Sequence, residues 1–275
     1  MAPSESLVAL ASRIRGEHFT HLLDLHGSLR TRALRWLVPG RWSGYRKRAR
    51  ARWGLIHWKR NWYRDLVPVA ERYFEAAGAL DVHPDGGPPE FFVPADAENA
   101  MRAWVAGAGL PSRFAVLAPG AAHATKRWPA ASWAVVASTL AARGIGVVTV
   151  GGPEDAAVAG GTAAAAGGFG ASAAGRTSLP ETAALLRQAA VVASGDTGVM
   201  HLATAVGTPV VALFGPTVRA FGFFPYSTAA TVLELALDCR PCSSHGGARC
   251  PLGHHACLRG IVPAETERAL LVHLG

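Results

Sequence analysis

The chain has little charge, few cysteines and no long apolar run. Charged residues make up 17% of its 275 positions, and no stretch is long and apolar enough to cross a bilayer as a helix. The opening Met1-Ala-Pro-Ser-Glu-Ser lacks the basic-then-apolar layout of a secretory signal. All four cysteines fall between 239 and 257. A secreted disulfide scaffold would spread them through the chain, so they read as a local device in a reducing compartment. Half the residues are hydrophobic, which argues against disorder. The expectation is a soluble cytoplasmic protein with one large core or two small ones.

Acid is also missing, but only locally. Residues 30–64 hold 12 of the 27 Lys and Arg and no Asp or Glu, so the remainder carries 15 basic against 19 acidic residues. The net charge of +8 therefore belongs to one segment, which also carries Trp36, Trp42, Trp53, Trp58 and Trp62. Such a segment is an interaction surface rather than a global trait.

From about 112 to 215 short apolar runs lead into polar Gly/Pro-rich loops and alternate with helix-like stretches. Phe114-Ala-Val-Leu-Ala118 runs into Pro119-Gly-Ala-Ala-His-Ala-Thr-Lys-Arg127, and Ile145-Gly-Val-Val-Thr-Val150 into Gly151-Gly-Pro-Glu-Asp155. Ala190-Val-Val-Ala193 runs into Ser194-Gly-Asp-Thr-Gly198, and Pro209-Val-Val-Ala-Leu-Phe214 into Gly215-Pro-Thr217. Runs this short, continuous and partly β-branched suit strands buried on both faces. Pro129 and Gly144 mark the start and left-handed exit of one helix, Ser178-Leu-Pro-Glu181 is a capping box, and Gly207 closes a helix from Thr197 to Val206. The alternation predicts a parallel, doubly wound sheet whose strand-to-helix loops open on the carboxyl edge, where ligands bind. In the first 110 residues only Phe19-Thr-His-Leu-Leu-Asp-Leu25 reads as a strand, with a helix from Ser28. One strand cannot make a sheet, so this region either borrows one or begins partway through a domain.

The sharpest motif is Ser194-Gly-Asp-Thr-Gly-Val-Met-His201. A strand ends, glycines permit a tight turn, and a helix offers unpaired amides and its dipole to an anion. Thr197 adds a hydroxyl, and His201 is four residues on, on the same helical face. Asp196 as a plain N-cap and His201 as a core histidine stand equally with that reading on spacing alone. The Lys126-Arg127-Trp128-Pro129 loop brings two cations to a second strand end, and the two loops together describe a diphosphate site. Glu154 and Asp155 either cap a helix or accept from ribose hydroxyls on the same edge.

These loops in this order resemble the glycosyltransferase family 9 heptosyltransferases, as does Gly207-Thr-Pro…Leu213-Phe-Gly-Pro-Thr217. Asp24-Leu-His-Gly27 resembles that family's Asp-Leu-Gln-Gly segment, with His26 in place of glutamine. The resemblance covers roughly residues 20–275. It implies an α/β protein of GT-B type: two Rossmann-like doubly wound domains, the N-terminal one (1–110) incomplete and acceptor-binding, the C-terminal one (111–275) binding a nucleotide-sugar and ending in a Cys/His-rich tail.

By the same resemblance Lys126, Thr197, Gly198 and His201 contact the donor diphosphate. Asp196 sits beside it, and Asp155 faces the nucleotide ribose. The implied reaction moves a heptose from ADP-heptose to a lipopolysaccharide-core acceptor, with inversion and without a metal ion or other cofactor. The basic segment, with Arg30, Arg46 and Arg48, would face this anionic acceptor near the inner face of the inner membrane, with peripheral membrane contact. Basic residues interleaved with tryptophan also suit a nucleic-acid strand, the less favoured partner.

Family members begin with a strand and Gly-rich loop carrying the aspartate proposed as general base, and this sequence has no counterpart. The expectation is a truncated or misassigned start and an unassigned catalytic residue. Asp24 better suits a structural role at a strand end. A non-catalytic nucleotide-binding remnant and a GT-B sugar-nucleotide epimerase are the alternatives. Cys239, Cys242, Cys250 and Cys257, with histidines nearby, resemble a structural zinc site in composition. Four reduced cysteines packing a loop is the competing reading.

Overall fold

A computed structural model describes residues 5–226 and 228–275. Helix α1 (Leu7–Gly16) is capped by the Ser6 side chain and precedes β1 (His21–Asp24). A capping box between Ser28 and Thr31 opens α2 (Leu29–Leu37). The chain returns as β2 (Arg41–Gly44), parallel to β1 with His21 beside Arg41 and Asp24 beside Gly44. Strand β2 corrects the expectation of a single strand here. Arg-Trp-Ser-Gly has neither an apolar run nor strict alternation, and pairing with β1 rather than local pattern makes it extended. Helices α3 (Ala49–Trp58), α4 (Val69–Arg72) and α5 (Ala95–Gly107) follow.

The remainder is β3 (Phe114–Ala118), α6 (Ala130–Ala142), β4 (Gly146–Thr149), α7 (Ala156–Ala164), β5 (Gly170–Ser172), α8 (Leu179–Gln188), β6 (Val191–Gly195), α9 (Gly198–Ala205), β7 (Val210–Phe214), β8 (Ala230–Glu234), α10 (Ala256–Arg259) and α11 (Pro263–Leu274). The six strands lie in the order β5-β4-β3-β6-β7-β8, all parallel. Side chains alternate between two cores. Phe114, Val116 and Ala118 face α5, α8 and α9, whereas Ala115 and Leu117 face α6, α10 and α11. Both faces are thus covered, as continuous apolar strands require. The helix ends fall where the sequence places them: Gly144 and Gly207 have φ of +74° and +77°, and Ser178 and Glu181 cap reciprocally. The α5 helix precedes residue 111, yet its Ala97 and Met101 belong to the core of the large sheet.

Hydrogen bonds from several residues join the first part of the chain to the large sheet's loops, among them the Tyr226 hydroxyl, which donates to Glu71 at 2.9 Å. The buried Arg72 guanidinium donates to the carbonyls of Ala220 and Phe221, each at 3.2 Å. The Val69 amide donates to the Gly222 carbonyl at 2.9 Å. The Lys59 ammonium donates to the carbonyls of Ile56, Cys239 and Pro241, at 2.9, 3.0 and 2.6 Å.

Candidate functional site

The sheet order reverses between β3 and β6. Neighbours lie to one side of β3 and to the other side of β6, and their connecting helices take opposite faces. A crevice opens at such a point on the carboxyl edge. Ala118 pairs with Ser194, so the loops after β3 and β6 leave the sheet at the same level. The first loop carries Lys126, the second Asp196, Thr197 and Gly198.

Their side chains meet. The Lys126 ammonium is 2.7 Å from Asp196 Oδ2 and donates to the Asp196 carbonyl at 3.0 Å. Thr217, from the loop after β7, donates its hydroxyl to the same Asp196 Oδ2 at 2.8 Å. Asp196 is therefore not the N-cap. It is a buried anchor holding the lysine at the helix start, and an ammonium with three protons keeps one beyond these two bonds. Thr197 is the N-cap and makes no side-chain cap bond, and among the described residues no side chain accepts from the first-turn amides of α9. Its backbone is extended, which corrects the expected helical stacking of Thr197 over His201. Its hydroxyl pairs with Ser194 Oγ at 2.9 Å instead.

His201 follows one turn into α9 and is exposed. Desolvation by the surrounding protein pushes its pKa below the ordinary histidine range, and Lys126 adds to this against the opposing pull of Asp196. The neutral ring then presents both a donor and an acceptor. A cation, an uncapped helix start and an imidazole beside them form an anion-binding arrangement.

Asp155 lies at the next strand end. Its carboxylate accepts from the Gly152 amide at 3.2 Å, the capping geometry that its sequence allowed. It also fills the space over Gly120, where an ideal Cβ would lie 2.0 Å from its Cγ. A cavity of about 490 Å³ lies alongside, lined by Pro119, Arg127, Trp128, Asp155, His255 and Arg259 among others. The Arg127 guanidinium donates to the Ala121 carbonyl at 2.8 Å, which braces the loop. Thr125 braces it from outside: its amide donates to the Gly247 carbonyl, and its hydroxyl accepts from the Gly247 amide.

A second cavity, about 990 Å³, lies in the basic segment and is lined by Arg46, Arg48, Arg50, Trp62, Arg64 and Glu75 among others. Arg48 is paired with Glu75 at 2.6 Å. Burial raises the Glu75 carboxyl, but Arg48 and the Arg46 amide outweigh that and hold it below the usual range. Arg30 does not join this pocket. Its guanidinium reaches the Glu5 carbonyl at 3.5 Å.

Asp24 has the structural role expected of it. It accepts from the amides of His26 and Gly27 at 3.0 and 2.7 Å and pairs with Arg35 at 3.3 Å. Burial raises its pKa, and these partners together with Thr31 bring it below the usual carboxylate range.

The four cysteines are free. Among the described residues no three His, Cys, Asp or Glu side chains converge to hold a metal ion, so the zinc reading of Cys239, Cys242, Cys250 and Cys257 finds no support in the geometry. The thiols are nonetheless neighbours: burial pushes the Cys257 thiol up, and the charges of Cys242, Cys239 and Cys250 add to this. Cys257 is buried in the second core, whereas the Cys250 sulfur accepts from the amides of Leu252 to His255. These amides outweigh burial and lower its pKa.

Three residues of the site carried no assigned role in the sequence reading. Thr217 stands in the Phe-Gly-Pro-Thr block and so had a signal. Thr125 and Gly120 had none beyond their place in a polar loop.

A six-stranded parallel sheet whose order reverses at β3 and β6 defines a Rossmann-like unit. Residues 7–251 match the family model for glycosyltransferase family 9 (heptosyltransferase), and the chain belongs to that family. Lipopolysaccharide heptosyltransferase 3 of Escherichia coli is 34% identical over 124 residues, 44% of this chain and 36% of that protein. Lipooligosaccharide heptosyltransferase 2 of Haemophilus influenzae is 33% identical over 122 residues, 42% of this chain and 35% of that protein. The matched stretch thus spans about a third of these curated relatives.

Among solved structures, the family 9 glycosyl transferase from Veillonella parvula superposes with a TM-score of 0.75 at 22% identity, covering 98% of this chain and 77% of that one. E. coli ADP-heptose lps heptosyltransferase II gives 0.72 at 24%, covering 98% and 80%. The E. coli heptosyltransferase WaaC, solved with ADP, gives 0.63 at 18%, covering 97% and 77%. The fold is GT-B, as expected.

Proposed function

We propose that this chain binds ADP-heptose at the switch-point crevice and transfers the heptose, with inversion, to an anionic lipopolysaccharide-core acceptor held in the cavity of Arg46 and the Glu75-paired Arg48. The observation that carries the donor half is the Lys126–Asp196 pair set against the uncapped start of α9. The solved complex of WaaC with ADP, in the same fold, supports adenine as the base. In this reading the acceptor hydroxyl attacks the anomeric carbon from the face opposite the diphosphate. The sugar–phosphate bond breaks, the hydroxyl proton passes to solvent, and negative charge grows on the departing phosphate, beside Lys126 and the α9 amides. The packing of α5 supports a donor unit that begins near residue 95 rather than at 111. The reaction places the protein at the inner face of the inner membrane.

The test is a thermal-shift titration with ADP, UDP and GDP, followed by a transfer assay with ADP-heptose. A ligand at about 100 times its dissociation constant stabilises by ~2.7 kcal/mol. Selective stabilisation by ADP together with sugar transfer is expected. ADP binding without transfer would leave a nucleotide-binding remnant, and no response to any nucleotide by a folded sample would overturn the donor site.

A further inference from the structure

The loop between β8 and α10 is tied to both parts of the chain. Near its start the carbonyls of Cys239 and Pro241 accept from the Lys59 ammonium, just beyond α3. Farther on, the Gly247 carbonyl accepts from the Thr125 amide at 3.1 Å, and the Gly247 amide donates to the Thr125 hydroxyl at 2.8 Å. Gly246 has a φ of +98°, and an ideal Cβ there would lie 2.9 Å from the His123 Cβ. The loop thus rests directly on the segment that carries Lys126. Between these ties stands His245, which is exposed. Its ring meets Phe223 at 5.9 Å between centroids, and Ser244 Oγ lies 2.8 Å from its Nδ1. Phe223 in turn packs in a cluster with Leu55 of α3. His245 therefore faces both sides of the crevice, with Arg52 of α3 on one and Lys126, Asp196 and His123 on the other, all within electrostatic reach.

We propose that His245 is the general base of the transfer, taking the proton of the acceptor hydroxyl at Nε2. This inference rests on the transferase reading above. With the Nδ1 proton donated to the Ser244 hydroxyl, Nε2 keeps a free lone pair. Burial, with the charges of Arg52, Lys126 and His123, holds the ring below the ordinary histidine range against the pull of Asp196, so that lone pair is available at neutral pH. As the hydroxyl oxygen bonds to the anomeric carbon, its proton moves to Nε2. The sugar–phosphate bond breaks with its electron pair on the ADP phosphate, and the imidazolium then gives the proton to solvent. Nearby carboxylates are otherwise engaged: Asp24 with Arg35 and two amides, Asp196 with Lys126 and Thr217, Asp155 with the Gly152 amide, and Glu75 with Arg48. Asp65 is exposed in the acceptor cavity and is the rival base. His245 is favoured because it also faces Lys126, beside which the leaving phosphate sits in this reading.

The test is a steady-state transfer assay across pH, with ADP-heptose as donor and heptose-free lipopolysaccharide core as acceptor, on the wild type and His245→Ala. Wild-type kcat should fall on the acid side as one group takes up a proton. His245→Ala should lose about 100- to 10,000-fold in kcat, lose that acid limb, and keep both its KM for ADP-heptose and its ADP-induced thermal shift. Added imidazole should restore part of the rate, which a purely structural role for His245 would not allow. Loss of kcat with the acid limb intact and no imidazole rescue would overturn the proposal. An active wild type with an equally active His245→Ala would sink the base alone and turn attention to Asp65. A wild type that binds ADP and transfers no heptose would sink the transferase reading and the base together.

Discussion

Lys126→Met keeps the aliphatic stem and removes one charge from the centre of the crevice. The structure lets its cost be worked in two parts. The first is stability. The Asp196 side chain is only 6% exposed, and the substitution leaves it with Thr217 as its remaining side-chain partner. Deleting one member of a buried pair costs ~3–5 kcal/mol, and the open cleft beside Lys126 favours the lower figure, about 3. For a chain of this size that lowers Tm by roughly 6–12 °C.

The second part is affinity. Losing a charge-assisted hydrogen bond to a phosphate costs ~1.5–3 kcal/mol, or roughly 10- to 100-fold in the dissociation constant for ADP. Scanning fluorimetry reads the first part and isothermal calorimetry the second. Lys126→Met/Asp196→Asn separates them: with no orphaned carboxylate, the double variant should regain most of the Tm while ADP binding stays weak. A Lys126→Met protein with unchanged Tm and unchanged ADP affinity refutes the reasoning.

His201 supplies a pH prediction. Its folded pKa lies below the unfolded value of about 6.5, so the neutral form is favoured on folding. Its contribution to stability is complete above that value and is lost as pH falls toward the folded pKa. His201→Gln should flatten the dependence of Tm on pH below about 6.5, and a slope identical to wild type would contradict the assignment. Gly120→Ala forces a Cβ to within 2.0 Å of Asp155 Cγ. It should cost ~1–3 kcal/mol by overpacking, which Asp155→Ala in the same chain should partly restore in thermal melts. Cys250, with amides lowering its pKa, should react with iodoacetamide before Cys242 and Cys257, whose pKa values burial raises. Peptide mass mapping over a time course would read the order.

The legibility of the large sheet has a physical basis. Strands β3, β4, β6 and β7 are buried throughout, so each reads as a largely apolar run, and β4 and β7 are each preceded by a glycine with positive φ, Gly144 and Gly207. Strands β5 and β8 at the sheet's two ends are only partly buried, and Gly170-Ala-Ser172 has almost no side chain to carry a pattern. Strand β2 is legible only through its partner. The same distinction runs through the site. Asp196, Thr197 and His201 share one loop-helix unit, and their proximity follows from sequence. The Thr217 anchor and the Gly120 seat for Asp155 come from other strand ends, and only the sheet register brings them in.

Charge shows how far a count along the chain can mislead. Residues 30–64 contain no acid, yet several of their cations are not free, because the compensating groups lie outside the segment. Arg35 pairs with Asp24 and Arg48 with Glu75. Arg30 reaches the Glu5 carbonyl, and the Lys59 ammonium is spent on three carbonyls. A run of like charge is relieved on folding by whatever carboxylates and carbonyls the fold brings alongside, and its own sequence does not contain that information. What survives this subtraction is informative. The side chains of Arg32, Arg41, Arg46, Lys47, Arg50, Arg60 and Arg64 remain without a hydrogen bond or ion pair among the described residues, and three of them, Arg46, Arg50 and Arg64, line one cavity. Unpaired arginines in one place leave a like-charge repulsion standing.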